Sequence, residues 1–166
     1  MKNIRLVILL AVVAAAGFWG YRTFFPSDEV VIRKLLVRAA EMASIRAADS
    51  GMKKLASVNW LMNACTTDVE LALDAPGIEA RSIQGRDQLG ELLGAVKGMV
   101  QSLSIELMDI RVQVDEDKSG ATAQFVARAN AEGVEDQIIQ EFRVRLRRVD
   151  GDWKLQRIEP LESLRR

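Results

Sequence analysis

The chain has no histidine, one cysteine (Cys65) and one tyrosine (Tyr21). Acid–base chemistry near neutral pH would therefore fall to carboxylates. Arg, Asn, Gln, Trp or backbone amides would be the donors to a developing oxyanion. Two aspartates are candidate bases. Asp68 alternates with Val69, Glu70 and Leu71 in a strand-like pattern, which places it with Glu70 on a polar face. Asp109 sits where the alternation changes phase. Ile105 and Leu107 keep one phase, and Ile110, Val112 and Val114 keep the other. Such a change implies a β-bulge at Met108-Asp109, and a bulge can turn a side chain inward. Neither metal nor cofactor is expected. With no His and one Cys only a carboxylate site remains, and Asp115, Glu116 and Asp117 fall in a hairpin turn without EF-hand spacing. Cys65 reads as a small buried hydrophobe, since a reactive thiol wants a His or an electropositive pocket beside it.

The elements that would position these groups follow from periodicity. Pro26-Ser27-Asp28-Glu29 is a helix start, with Ser27 as cap and two acids in the first turn. Ile32, Leu35, Leu36, Ala39, Met42 and Ala43 recur at helical spacing, and the helix runs to about Arg46. Ser50-Gly51 breaks the pattern. A second helix puts Met52, Leu55, Val58, Leu61 and Met62 on one side, with Trp60 near its packing face. A short strand around Val69–Leu73, the turn Asp74-Ala75-Pro76-Gly77 and a second strand at 80–83 come next. A third helix begins after Gly85-Arg86-Asp87. Gly90, Gly94 and Gly98 recur along it, which predicts close backbone packing on a sheet. The last third alternates as strands. Ala123, Phe125 and Ala127 share an apolar face, as do Phe142, Val144 and Leu146, then Trp153 and Leu155. Glu141, Arg143, Arg145 and Arg147 take the other face, predicting a solvated surface with cross-strand ion pairs. Asp150-Gly151 is a two-residue hairpin signal.

Of 166 residues, 23 are basic and 23 acidic. Lys2, Arg5 and Arg22 lie in residues 1–26, which hold no acid; the remainder is left with 20 basic side chains against 23 acidic ones. A mildly acidic domain without a basic patch argues against nucleic acid as a partner. Leu6 to Tyr21 is uncharged. It could be a cleaved signal peptide, with Ala14-Ala15-Ala16 before the cleavage point, or a retained anchor. Phe18, Trp19, Tyr21, Phe24 and Phe25 cluster at one end like an interfacial belt and favour the anchor. The expected division is a membrane segment at 1–26, contacting the bilayer through residues 4–25, and a domain at 27–166. The basic bias of the first residues places the N-terminus in the cytoplasm and the domain outside it, as in a bacterial inner-membrane protein facing the periplasm.

The order helix, helix, strand, strand, helix and four long strands resembles the nuclear transport factor 2-like superfamily, in its SnoaL-like branch. The residues that carry the resemblance are Thr67-Asp68-Val69-Glu70-Leu71, Ile83-Gln84-Gly85-Arg86-Asp87, Glu141-Phe142-Arg143-Val144 and Asp150-Gly151-Asp152-Trp153-Lys154-Leu155. The resemblance implies an α+β cone: three helices packed in a strongly curved, mainly antiparallel sheet with a pocket between them. Here it would be preceded by one transmembrane helix. Trp60, Phe125, Phe142, Val144 and Trp153 would then wall the pocket. Three functions fit. One is a non-enzymatic domain binding a small apolar ligand. Another is an assembly subunit that pairs with a second copy or a membrane protein through the outer sheet face. The third is an isomerase, dehydratase or cyclase with a carboxylate base.

Overall fold

The computed structural model describes residues 27–75, 78–133 and 137–161. Three helices and six strands follow in the order α1 (Asp28–Ala43), α2 (Gly51–Ala64), β1 (Cys65–Ala75), β2 (Ile78–Gln84), α3 (Arg86–Met99), β3 (Leu103–Val114), β4 (Gly120–Ala131), β5 (Ile138–Val149) and β6 (Asp152–Pro160). The strands form one sheet in the order β2-β1-β6-β5-β4-β3. Every neighbouring pair is antiparallel except β1 with β6. This is the α+β arrangement expected from the sequence. The hydrophobic segment before it lies outside the described residues, and no helix among the described residues is long and apolar enough to cross a membrane.

Register shifts in four of the strand pairs accompany the curl of the sheet, two of them in the long antiparallel strands. On β3, Met108 pairs with Val126 and Arg111 with Gln124, so Asp109 and Ile110 together face Phe125. Asp109 takes φ 54°, a left-handed conformation that Asp tolerates better than most residues. This is the bulge that the phase change predicts. A second register shift lies on β6, opposite Arg145 and Leu146; no sequence signal pointed to it. The β5–β6 turn is the two-residue hairpin at Asp150-Gly151, with φ of 53° and 90° as a type I′ turn needs.

The helices lie on the concave side. Ile32 and Leu36 of α1 share one buried cluster with sheet residues Ala121, Ala123, Val144 and Leu146, and Ala40 is buried as well. The α1 terminus is stitched to the sheet edge. Ile45 and Leu103 exchange backbone hydrogen bonds of 2.7 and 2.9 Å, and the Ser44 hydroxyl accepts from the Ile105 amide while donating to Ala40 O.

Several expectations fail for physical reasons. α1 stops at Ala43 rather than Arg46, because Ser44 turns extended to meet β3. Ser27 occupies the N-cap position, but its side chain makes no capping bond. The working cap is that of α2, where Ser50 Oγ accepts from Lys53 N. Met52 and Leu55 do not pack. They are 84% and 62% exposed, whereas Val58 and Leu61 of the same stripe are buried as expected, together with Ala64. The glycine stripe of α3 does not pack on the sheet. Gly90 accommodates the Met62 thioether of α2, whereas Gly94 and Gly98 face open space.

Candidate functional site

Helices need partners for their last carbonyls, which no intrahelical amide reaches. In this fold cations supply them. Lys97 of α3 is 4% exposed, and its Nζ donates to Met42 O at 2.8 Å, Ser44 O at 3.2 Å and Ala43 O at 3.5 Å. Burial pulls its pKa below the ordinary lysine value, an effect opposed by the Asp49 carboxylate. Arg86, at the other end of α3, donates to Cys65 O at 2.6 Å, and Lys154 donates to Asn63 O at 2.7 Å. The third helix thus holds the C-terminal ends of the other two. The sequence marks Arg86 only as part of the start of α3 and gives Lys97 no role. Their carbonyl partners lie 21 to 55 residues away and carry no side-chain signature.

The start of α1 is held differently. Asp28 Oδ1 accepts from Arg148 at 2.8 Å and from the Trp153 indole N–H at 3.1 Å. The Arg148 guanidinium also stands 5.1 Å from the centre of the Trp153 ring. This cluster closes one end of the cone.

Between the two ends lies a cavity of about 380 Å³. Its helical wall includes Leu36, Ala39, Ala40 and Ala43 of α1, Leu61 of α2, and Leu89 and Leu93 of α3. Its sheet wall includes Phe125, Ala127 and Ala129 of β4 and Ile138, Gln140, Phe142 and Val144 of β5. The hollow exists because small side chains oppose one another there: alanines of α1 face alanines of β4. Phe125 and Phe142 are register partners with ring centres 6.0 Å apart. Among the described residues no charged side chain lines the cavity. Gln140 is its one amide, and that amide donates to Leu161 O at 2.7 Å. Cys65, also on the wall, is buried, and burial pushes its thiol pKa up to about 11. The thiol is therefore neutral at ordinary pH and adds no charge to the wall.

The structure brings together three of the five expected pocket residues, Phe125, Phe142 and Val144. Trp153 faces the interior but is spent on Asp28 at the closed end, away from the cavity. Trp60 is half-buried on the outside of the helices, in a surface groove beside Arg33, Val37 and Arg38. Both tryptophans were expected to wall the pocket. Each has an amphipathic ring that finds a polar or solvated edge elsewhere. The alanines and leucines that do wall the cavity read from the sequence as apolar packing faces, Ala127 and Leu155 among them, and were not named as pocket walls. Small residues at one helical spacing, opposite small residues at one strand spacing, were the available signal.

The carboxylates stand outside. Asp68 is exposed and pairs with Arg147 at 2.9 Å. Asp109 is exposed in a shallow hollow on the convex face beside Arg111 and Glu141. At the bulge it is Ile110 that packs against the core. Glu106 and Glu141 are exposed as well. The convex face carries the expected cross-strand pairs, including Arg145 with Asp115 at 2.5 Å, Arg143 with Glu159 at 3.5 Å and Arg157 with Glu70 at 3.3 Å. Gly120 lacks the side chain that would collide with the Arg145–Asp115 pair. Among the described residues no cluster of three or more His, Cys, Asp or Glu could hold a metal ion.

No family model matches the chain, and no curated protein matches it. Solved structures do. A nuclear transport factor 2-like protein with a cystatin-like fold from Novosphingobium aromaticivorans is 19% identical, with a TM-score of 0.63 over 86% of this chain and 86% of that one. A candidate scytalone dehydratase from Novosphingobium aromaticivorans DSM 12444 is 16% identical, with a TM-score of 0.62 over 81% of this chain and 83% of that one. A nuclear transport factor 2-like protein of unknown function from Pseudomonas putida KT2440 is 16% identical, with a TM-score of 0.62 over 82% and 87%. At these identities the likeness shows the fold alone. The described domain has the nuclear transport factor 2-like cone.

Proposed function

We propose that the chain is a membrane-tethered, non-catalytic binding domain that holds a small apolar molecule inside the cone. The observation that carries this is the cavity itself: about 380 Å³, walled by apolar side chains with one already engaged amide. Interiors ordinarily pack to crystal density, and a large dry void forfeits the dispersion contacts of its whole lining. An apolar occupant restores them. A carboxylate-based isomerase, dehydratase or cyclase would need a base within reach of the substrate. Asp68, Glu106, Asp109 and Glu141 all face solvent instead.

The uncharged stretch Leu6–Tyr21, behind Lys2 and Arg5, supports a tether with the domain on the far side of the bilayer. Fusion of alkaline phosphatase to the C-terminus should give an active reporter, and an inactive one would reverse the orientation. The binding function is tested by extracting the full chain into polymer nanodiscs and releasing its contents under native mass spectrometry. A defined apolar molecule should leave on unfolding. A cone that carries no molecule and takes up none of a panel of apolar probes would refute the proposal.

A further inference from the structure

The shape of the cavity says more about its occupant than its polarity does. The wall runs lengthwise along the strands, from Ile138 to Val144 on β5 and from Phe125 to Ala129 on β4, and along α1 from Leu36 to Ala43. At the usual rise per residue these stretches measure roughly 20, 14 and 10 Å, and we take about 15 Å as the length available to an occupant lying along them. A volume of about 380 Å³ spread over that length gives a cross-section of about 25 Å², a little over 5 Å across. At one end Val144, Leu155 and Leu36 are buried. The other end opens beside Ile138, which is 58% exposed.

We propose that the occupant is a single alkyl or acyl chain of an amphiphile, inserted tail first, with its polar end left at the Ile138 mouth. This rests on the reading of the cone as an apolar binding site. A staggered hydrocarbon advances about 1.25 Å per methylene, so the length admits roughly twelve carbons. At roughly 30 Å³ per small group the volume gives about the same count. The wall offers a polar end nothing inside, because Gln140 is held by Leu161 O and Cys65 is a neutral thiol. Each methylene taken from water into the tube should tighten binding about fourfold until the tube is full.

The test is photolabelling of the full chain in polymer nanodiscs with fatty acids of ten to eighteen carbons. Each carries one diazirine at a chosen carbon, and the labelled residues are read by peptide mass spectrometry. A diazirine near the carboxyl should mark Ala43, Ala129 or Ile138. A diazirine near the methyl end should mark Leu36, Leu61 or Leu155. Ala127→Phe, placed mid-tube, should abolish the inner labels and keep the outer ones; Ala40→Phe serves as the second plug if Ala127→Phe does not melt cooperatively. Labels that ignore the diazirine position, or a fused-ring photoprobe captured in preference to every chain, would overturn the chain proposal while leaving an apolar binding site. The absence of cavity labels from any probe would remove the binding site itself.

Discussion

Lys97→Met removes an ammonium that serves three carbonyls at the end of α1. Replacing a buried charge by an apolar side chain of similar length is often neutral or stabilising, because the desolvation cost disappears. Here the partners are not another removable charge but the backbone oxygens of Met42, Ala43 and Ser44, which the substitution leaves behind. A hydrogen bond to a charged group contributes about 1.5–3 kcal/mol, and the bond at 2.8 Å to Met42 O is the strongest of the three. A cation at a helix C-terminus adds roughly 0.3–1 kcal/mol. Relief of the burial that already lowers the Lys97 pKa offsets part of this. The net expectation is a loss of about 2–4 kcal/mol, seen as a Tm lower by roughly 10 °C for a domain of this size. Urea unfolding followed by tryptophan fluorescence should show a lower midpoint at unchanged slope. Lys97→Gln, which keeps two donors, should recover part of the loss. A Lys97→Met protein as stable as the parent would refute the assignment and show that the buried charge is a net burden.

Other outcomes follow from the same geometry. Asp28→Ala orphans the buried Trp153 indole N–H and frees Arg148, and calorimetry should show a loss of about 2–3 kcal/mol. Asp109→Val should cost about 1–2 kcal/mol, because a β-branched residue resists φ 54°, whereas Asp109→Gly should change stability by less than about 1 kcal/mol. Equal effects of the two in chemical denaturation would mean that the left-handed backbone is not the constraint. Cys65 should resist iodoacetamide at pH 8 until the chain unfolds, and rapid alkylation of folded protein would contradict its burial. Because its folded pKa is raised from 9.0 to about 11, its neutral-thiol contribution is complete below pH 9 and lost as pH climbs to about 11. Relative to Cys65→Ala the parent should lose roughly 2–3 kcal/mol across that window.

What the sequence made readable was whatever depends on near neighbours. The α1 stripe from Ile32 to Ala40, the opposed phases of Phe142 and Arg143, the Asp150-Gly151 turn and the Asp109 bulge are local patterns of side-chain alternation or backbone sterics. Contacts made by backbone oxygens far along the chain were hidden, as with Lys97 and Arg86. Hydrophobic spacing overreached at Met52 and Leu55, where the first turns of α2 remain exposed. Trp153 is buried as its strand phase predicts, but neither it nor Trp60 lines the cavity. The cavity is made by what is absent, the side-chain volume missing from Ala39, Ala40, Ala43, Ala127 and Ala129. Periodicity marks such alanines as core without saying that nothing fills the space between them.

The position of β6 has a consequence for how the domain is made. This strand, the last in sequence among the described residues, lies inside the sheet between β1 and β5. Its parallel partner β1 enters some 90 residues earlier, with Cys65 opposite Leu155 and Leu71 opposite Ile158. Pairings so remote in sequence close late and slow the search for the native state. Until residues 152–160 emerge, β1 and β5 each present an unpaired edge, the kind of surface on which partly made chains aggregate. Folding therefore waits for nearly the whole domain to be synthesised. Such a chain stays open and unpaired at its centre for most of the time that it is being made.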